Sequence, residues 1–469
     1  MNPELFSTTV RRLALLLTAG FLFVALGAGY WSVVRAGELS ERDIGRAVER
    51  ARRTDRGRIV ARDGTVLVES VANAEGVTER LYHSPLLAPV TGVWAPTIQA
   101  TGLEQSYNEW LSGRAGPLIS TQLDALLHRP IVGADLVTTI DPALQQAADA
   151  LLGDRAGAIV VLDPRTGDVL ALASHPTYNP NTYIEDAEAL QASPARPLLN
   201  RATQGLYTPG SVFKIVTLSG VLAQGKVQPG EIFEDPGVFI VEGFPVRDNQ
   251  PPPQTQLDLN HALAYSSNVI FAKLGLRLGA DGLREIARAY GFGQVPPVAL
   301  DAAASSIGSD EFLLDNVGLA NSAYGQGQIQ VTPLQMALVT AAAANAGVVP
   351  EPRLVTEIRR RDGEVLARVK PNAWRRAVSR GVADQVREAM IVAARDGYAR
   401  AGAPPNIAIG GKTGSAQLGG NVAPHSWFVA FAPADAPRLA LAVIVENAGA
   451  GGDVAAPIAR RLIQQAVGQ

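Results

Sequence analysis

Three short stretches of this sequence combine residue types that can do nucleophilic chemistry. Ser211-Val212-Phe213-Lys214 sets a hydroxyl and an amine three residues apart. Thr208-Pro209-Gly210 before them reads as a turn delivering Ser211 to a helix N-terminus, with Lys214 on the same face one turn later. A serine hydroxyl is a weak nucleophile until a base takes its proton. A lysine desolvated by Phe213, Ile215 and Val216 can be neutral often enough to serve, and the helix N-terminus favours the negative charge that develops. Alone, the pair equally describes a serine N-cap and a solvated lysine. Ser266-Ser267-Asn268 offers a hydroxyl and a carboxamide two apart, able to relay a proton and orient an amide. Ser106-Tyr107-Asn108 fits the same pattern, so the triplet says little by itself; that copy is set aside because it precedes the nucleophile in the membrane-proximal region. Lys412-Thr413-Gly414-Ser415 reads as an edge strand lining a cleft, with a lysine and a hydroxyl to hold a carboxylate and a glycine that admits close backbone approach. A phosphate-binding loop is the rival for Gly411-Lys412-Thr413. It needs a glycine where Asn406 stands and a helix where Gly419-Gly420 follow.

The elements that must position these residues form an α+β pattern. Arg56 to Leu67 reads as two short strands around Asp63-Gly64, and short helical stretches follow near Gly102–Glu104 and Tyr107–Gly113. Asp141 caps a helix that opens with Pro142 and ends at Gly153. Ala158–Leu162 and Val169–Ser174 form a hairpin around Asp163–Asp168. Helices are expected at about 211–224, 258–279, 281–291 and 333–346, then strands at Ile407–Ile409, Ser426–Ala432 and Leu439–Glu446, and a last helix at 454–467. Strands at both ends with helices between imply a sheet built from sequence-distant strands. Pro251-Pro252-Pro253 marks a loop.

The 469 residues allow two or three domains. A net charge of −3 offers no field for nucleic acid. Only five of the 41 basic residues are lysines, and two of the five fall in the stretches above; lysine, unlike arginine, loses its charge readily on burial. With no cysteine there is neither a thiolate metal site nor a cysteine nucleophile. Arg11-Arg12 precede Leu13–Val34, 22 residues without a charge, long enough to cross a hydrocarbon core of about 30 Å. A retained anchor is favoured over a cleavable signal peptide, whose apolar region should be about 7–15 residues. The expected division is residues 1–35, a short cytoplasmic tail and transmembrane helix; 36–148, a membrane-proximal pedestal opening with a charged, helix-compatible stalk at 38–53; and 149–469, the domain carrying the three stretches.

Taken together, in this order and at these separations, the three stretches resemble the motif set of class B penicillin-binding proteins. The likeness extends through Asn200-Arg201-Ala202, Tyr324-Gly325-Gln326-Gly327, Val331–Ala337, Trp427–Pro433 and Ala455–Ala459. The resemblance implies a penicillin-binding transpeptidase fold, an antiparallel sheet flanked by helices plus an all-helical subdomain. It implies Ser211 as the nucleophile on a D-Ala-D-Ala stem peptide, Lys214 as base, Ser266 as proton shuttle and Asn268 as positioner. It further implies Lys412 and Thr413 as carboxylate holders, and backbone N–H groups of Ser211 and Ser415 as oxyanion hole. No metal or organic cofactor is called for. The implied partners are peptidoglycan stem peptides, β-lactams as inhibitors, the cytoplasmic membrane and a SEDS-family glycosyltransferase against the pedestal, with the catalytic domain outside the cytoplasm. A D,D-carboxypeptidase and a non-catalytic β-lactam receptor or scaffold stand as alternatives; a β-lactamase is disfavoured, because no glutamate-containing deacylation motif lies between Asn268 and Lys412. His425 is expected at a strand end, Trp427 in the cleft wall, and Gln326 and Gln328 in a loop.

Overall fold

The structure, a computed structural model, describes residues 3–34, 48, 54–73, 78–115, 132–228 and 230–468. Apart from Val48, the stalk expected at 38–53 lies outside the described residues. Helix α1, Pro3–Gly29, runs on through a π-helical turn at Tyr30–Val34. Its segment Val10–Val33 is long and apolar enough to cross a membrane, and none of it is buried against the rest of the protein. At 1.5 Å per residue its 24 residues span about 36 Å.

Two sheets organise the remainder. The first collects β1 (Ile59–Val60), β2 (Val66–Ala72), β3 (Thr78–Tyr82) and β4 (Asp135–Thr138). The Asp63-Gly64 turn joins β1 and β2 as the sequence implies, and β1 pairs parallel with β4. Two late strands complete it: Val355–Arg359 pairs antiparallel with β4, and Val365–Arg368 pairs antiparallel with Val355–Arg359 at the edge. Thus the sheet draws strands from both sides of residue 148. Beside it, Gly102–Ser106 and Asn108–Leu111 form two short helices. Glu104 there is fully buried between Arg56 (2.7 Å) and Arg80 (2.6 Å), and Arg56 stacks on Trp94 at 4.4 Å.

After helix α2, Pro142–Leu152, capped by Asp141 and ended at Gly153, come β5 (Gly157–Leu162) and β6 (Val169–His175), the expected hairpin. They pair through Leu439–Val445 and His425–Ala432 to the edge strand Gly410–Ala416 in a five-stranded antiparallel sheet. Every residue of β5 is buried, because helices cover both faces. Ala158, Val160 and Leu162 pack on the side of Pro333–Ala344. Ile159 and Val161 pack on the side of Ala455–Val467.

Three expectations are corrected. The helix expected over 258–279 is two, Leu259–Ala264 and one that starts at Asn268, because Ser266 takes a left-handed φ of 57° and Ser267 caps the second helix through Ile270 N (2.9 Å); the expected boundary before 281 holds, since Gly279 (φ 77°, ψ 165°) breaks the run Asn268–Ala289 there. The strand expected at Ile407–Ile409 begins later, at Gly410, so the Lys412 motif lies inside it. Helices at Tyr183–Ala192, Asp310–Leu314, Asn316–Ala323 and Arg380–Arg395 were not expected. The last is amphipathic and capped by Ser379, a periodicity that sequence inspection passed over.

Removing one partner from a buried ion triad strands the others without compensation. Glu104→Ala should therefore destabilise the protein by about 3–5 kcal/mol, read from denaturant unfolding of the detergent-solubilised chain. A loss below about 1 kcal/mol would show that the two arginines find other partners.

Candidate active site

Ser211 sits in a 3₁₀ turn, Gly210–Phe213, that feeds directly into helix Lys214–Ala223. The turn is held from behind. Gly210 N donates to Gly325 O (2.9 Å), and Trp427 Nε1 donates to Thr208 O (3.0 Å). Gly325 is obligatory: its φ is +89°, and a Cβ there would lie 1.8 Å from Gly210 O. Gly414 has ordinary φ but faces Pro209 O and Val212 at 3.0 Å, the close approach its sequence position suggested.

Lys214 is not a solvated lysine. It is fully buried, and its Nζ lies 2.6 Å from Ser266 O, 2.8 Å from Asn268 Oδ1, 3.1 Å from Ser211 Oγ and 3.2 Å from Ser266 Oγ. An ammonium has three hydrogens for these four oxygens. The carbonyl oxygens of Ser266 and Asn268 can only accept, so a neutral amine donating to both keeps its lone pair for a serine O–H. Burial, and next the Lys412 charge, hold Lys214 well below the ordinary lysine range, against the opposing pull of Asp248 and Asp235. Lys412, also buried, donates to Ser266 Oγ (2.8 Å) and Thr413 O (3.0 Å), and burial pushes its pKa down to about 7. Ser266 Oγ therefore bridges the two lysines, and the left-handed turn at Ser266 aims both its hydroxyl and its carbonyl at Lys214.

All three stretches thus meet in one groove, with Ser211, Lys214, Ser266, Asn268, Lys412, Thr413, Gly414 and Ser415 at its floor and wall. Two cavities, of about 470 and 490 Å³, adjoin at Ser211, Asn249, Ser415 and Gln417, which line both. Sequence reasoning missed Asp248. Its Oδ1 accepts from Asn268 N (2.5 Å) and Val269 N (3.1 Å), while Asn268 Nδ2 donates to Arg247 O (2.8 Å). Burial and then the adjoining Asp235 carboxyl raise Asp248 to about 6. Nothing local in Arg247-Asp248-Asn249 signals this, since the contact spans twenty residues. The rejected Ser106-Tyr107-Asn108 copy is structural: Asn108 Oδ1 accepts from Arg56, and Ser106 Oγ donates to Ala299 O. His425 begins its strand and its Nδ1 accepts from Asn447 N, Trp427 is buried in the wall, and Gln328 accepts from Ser309 N. Gln326 lines the larger cavity.

A family model described as the penicillin-binding protein transpeptidase domain matches residues 157–464, and one described as the penicillin-binding protein A dimerisation domain matches 56–135. This chain belongs to the class B penicillin-binding proteins. The penicillin-binding protein is 36% identical over 447 residues to peptidoglycan D,D-transpeptidase PbpA of Mycobacterium tuberculosis, covering 88% of this chain and 89% of that one. It is 33% identical over 435 residues to peptidoglycan D,D-transpeptidase MrdA of Acinetobacter baumannii, covering 82% and 63%. Its structure is similar to penicillin-binding protein A from M. tuberculosis in a ceftriaxone acyl-enzyme complex (TM-score 0.83, 34% identity, 90% and 100% covered) and in a penicillin G acyl-enzyme complex (TM-score 0.81, 35% identity, 88% and 100% covered).

Asp248 anchors the end of the helix that carries Asn268, so its loss should be felt at Lys214. Asp248→Ala removes a cap worth about 1 kcal/mol and should slow covalent labelling by a fluorescent penicillin up to roughly fivefold. Asp258→Ala, which uncaps the preceding helix, serves as the comparison. Equal labelling rates in both variants would remove Asp248 from the machinery.

Proposed function

We propose that this chain is a peptidoglycan D,D-transpeptidase acting through an acyl-enzyme on Ser211. One observation carries the reading: Lys214 Nζ, buried and saturated by two carbonyl acceptors, has Ser211 Oγ within 3.1 Å. Lys214 takes the Ser211 proton as Oγ attacks the penultimate D-Ala carbonyl of a stem peptide. The C–N bond breaks, and the proton passes through Ser266 Oγ to the departing D-Ala nitrogen. Lys412 and Thr413 hold the terminal carboxylate of the peptide, or that of a β-lactam imitating it, and Asn268 positions Lys214 and the peptide amide. Backbone N–H groups of Ser211 and Ser415 receive the oxyanion, where one donor is worth about 10²–10³ in rate. An amine of a neighbouring stem then gives its proton back along the same route and takes the acyl group. The names of the relatives and the acyl-enzyme structures of the M. tuberculosis protein support this reading.

In the same reading the chain divides into the tail and transmembrane helix (1–35), the pedestal (36–148) and the transpeptidase domain (149–469). The apolar, uncovered helix at Val10–Val33 supports a single pass through the cytoplasmic membrane with the catalytic domain outside. A SEDS-family glycosyltransferase would dock on the pedestal.

Intact-mass measurement after penicillin should show one adduct on the wild type and none on Ser211→Ala, and cross-links should form from lipid-linked substrate. Release of D-Ala without cross-links would make the chain a D,D-carboxypeptidase. An adduct without turnover would make it a receptor.

The two lysines also fix the pH profile. Burial and the Lys412 charge depress the Lys214 pKa, so the amine stays free to lower pH than an ordinary lysine, and acylation is lost as pH falls through that depressed pKa and the lone pair is taken up. Lys412 works as the ammonium, so its contribution is lost as pH rises through about 7. The acylation efficiency of the free enzyme should therefore be bell-shaped, with its alkaline limb near 7 and moving upward at saturating substrate, whose carboxylate holds the proton on Lys412. A rate independent of pH from about 5 to 9 would contradict the assignment of both lysines.

A further inference from the structure

The two cavities that meet at Ser211 differ in charge. The smaller is lined by Thr413, Ser266, Tyr265 and Tyr398, and among the described residues its one charged lining residue is Asp453. The larger is lined by Asn268, Asn321, Tyr324 and Gln326, with Arg247 and Asp248 as its charged residues. Asp248 turns one oxygen to the backbone N–H groups of Asn268 and Val269. Arg247 is different. It ends the strand Phe244–Arg247 of a hairpin with Val238–Val241, is exposed, and among the described residues its guanidinium makes no hydrogen bond or ion pair. Its position is nevertheless fixed, because its backbone carbonyl accepts from Asn268 Nδ2 at 2.8 Å. An unpartnered arginine is thereby tied to a residue of the catalytic cluster.

Chemistry assigns the two cavities. Lys412 and Thr413 receive the terminal carboxylate in the reading above, and Thr413 lines the smaller cavity. The departing D-Ala leaves by that side. By microscopic reversibility the acceptor nitrogen attacks from where the leaving nitrogen departed, so the acceptor enters there too. The part of the donor stem upstream of the scissile bond is then left the cavity that Thr413 does not line, along Asn268 and Arg247. We propose that the larger cavity is the donor-stem subsite and that Arg247 selects donors bearing a free carboxylate in that upstream segment over the same donors in carboxamide form. This inference rests on the transpeptidase reading.

The test uses the full chain in detergent, two synthetic donor peptides ending in D-Ala-D-Ala that differ only in carrying upstream carboxylates or carboxamides, and protection of Ser211 from a fluorescent penicillin as readout. The wild type should be protected at about tenfold lower concentration by the carboxylate form, the scale of one charge-assisted hydrogen bond. Arg247→Gln should bring the ratio of the two donors close to one, Arg247→Lys should retain part of it, and Arg247→Glu should reverse it. The ratio is internal to each variant, so a general loss of folded protein does not imitate the result. Equal protection of the wild type by both donors, or a preference that persists in Arg247→Gln, overturns the proposal while leaving the transpeptidase reading intact. A wild type that penicillin never labels overturns that reading, and this inference with it.

Discussion

A primary amine kept out of water beside two hydroxyls is the constraint on which the rest of this structure depends. Water stabilises an ammonium far better than a protein interior does, so Lys214 is held toward its neutral, unprotonated form only while helices and sheet exclude solvent from it. Carbonyl oxygens from Ser266 and Asn268 then fix where its lone pair points. Much of the surrounding architecture serves that placement. The left-handed turn at Ser266, the Asp248 cap, and the glycine contact between 210 and 325 all hold backbone against the tendency of a loop to relax.

Two lysines at close quarters share Ser266 Oγ. The positive charge on Lys412 helps keep Lys214 neutral, while the Asp235 and Asp248 carboxylates oppose it. The site is therefore a balance of desolvation and charge in which neither lysine behaves independently of the other. Among the described residues, Ser266 carries the one hydroxyl that both amines reach.

What was legible in the sequence follows from how local each signal is. Ser211 and Lys214 declare themselves because a helical turn alone brings them together, and the edge-strand character of Lys412–Ser415 follows from the apolar strands downstream. The hairpin at 157–175 and the Asp141 cap were equally readable, being set by turn chemistry and N-cap preference. The break at Tyr265–Ser267 was not. Apolar periodicity continues across it and masks the left-handed turn at Ser266 and the Ser267 cap, while the aspartate that accepts from the next helix's first N–H groups comes from twenty residues earlier. The Arg380–Arg395 helix and the late strands of the first sheet escaped for different reasons: the helix carries a local signal, an amphipathic period behind the Ser379 cap, that went unread, whereas the strand 355–359 finds its partner β4 some 220 residues away.

That last pairing has a consequence for biosynthesis. The β4 strand at 135–138 leaves a ribosome or translocon long before the segment 355–359 that covers its edge, and β5 at 157–162 waits still longer for 439–445. Both sheets remain open-edged through most of synthesis, and unpaired edges invite association with other chains. The nascent protein must be shielded until its last fifty residues arrive, and the order of emergence makes completion of the catalytic sheet nearly the final folding event.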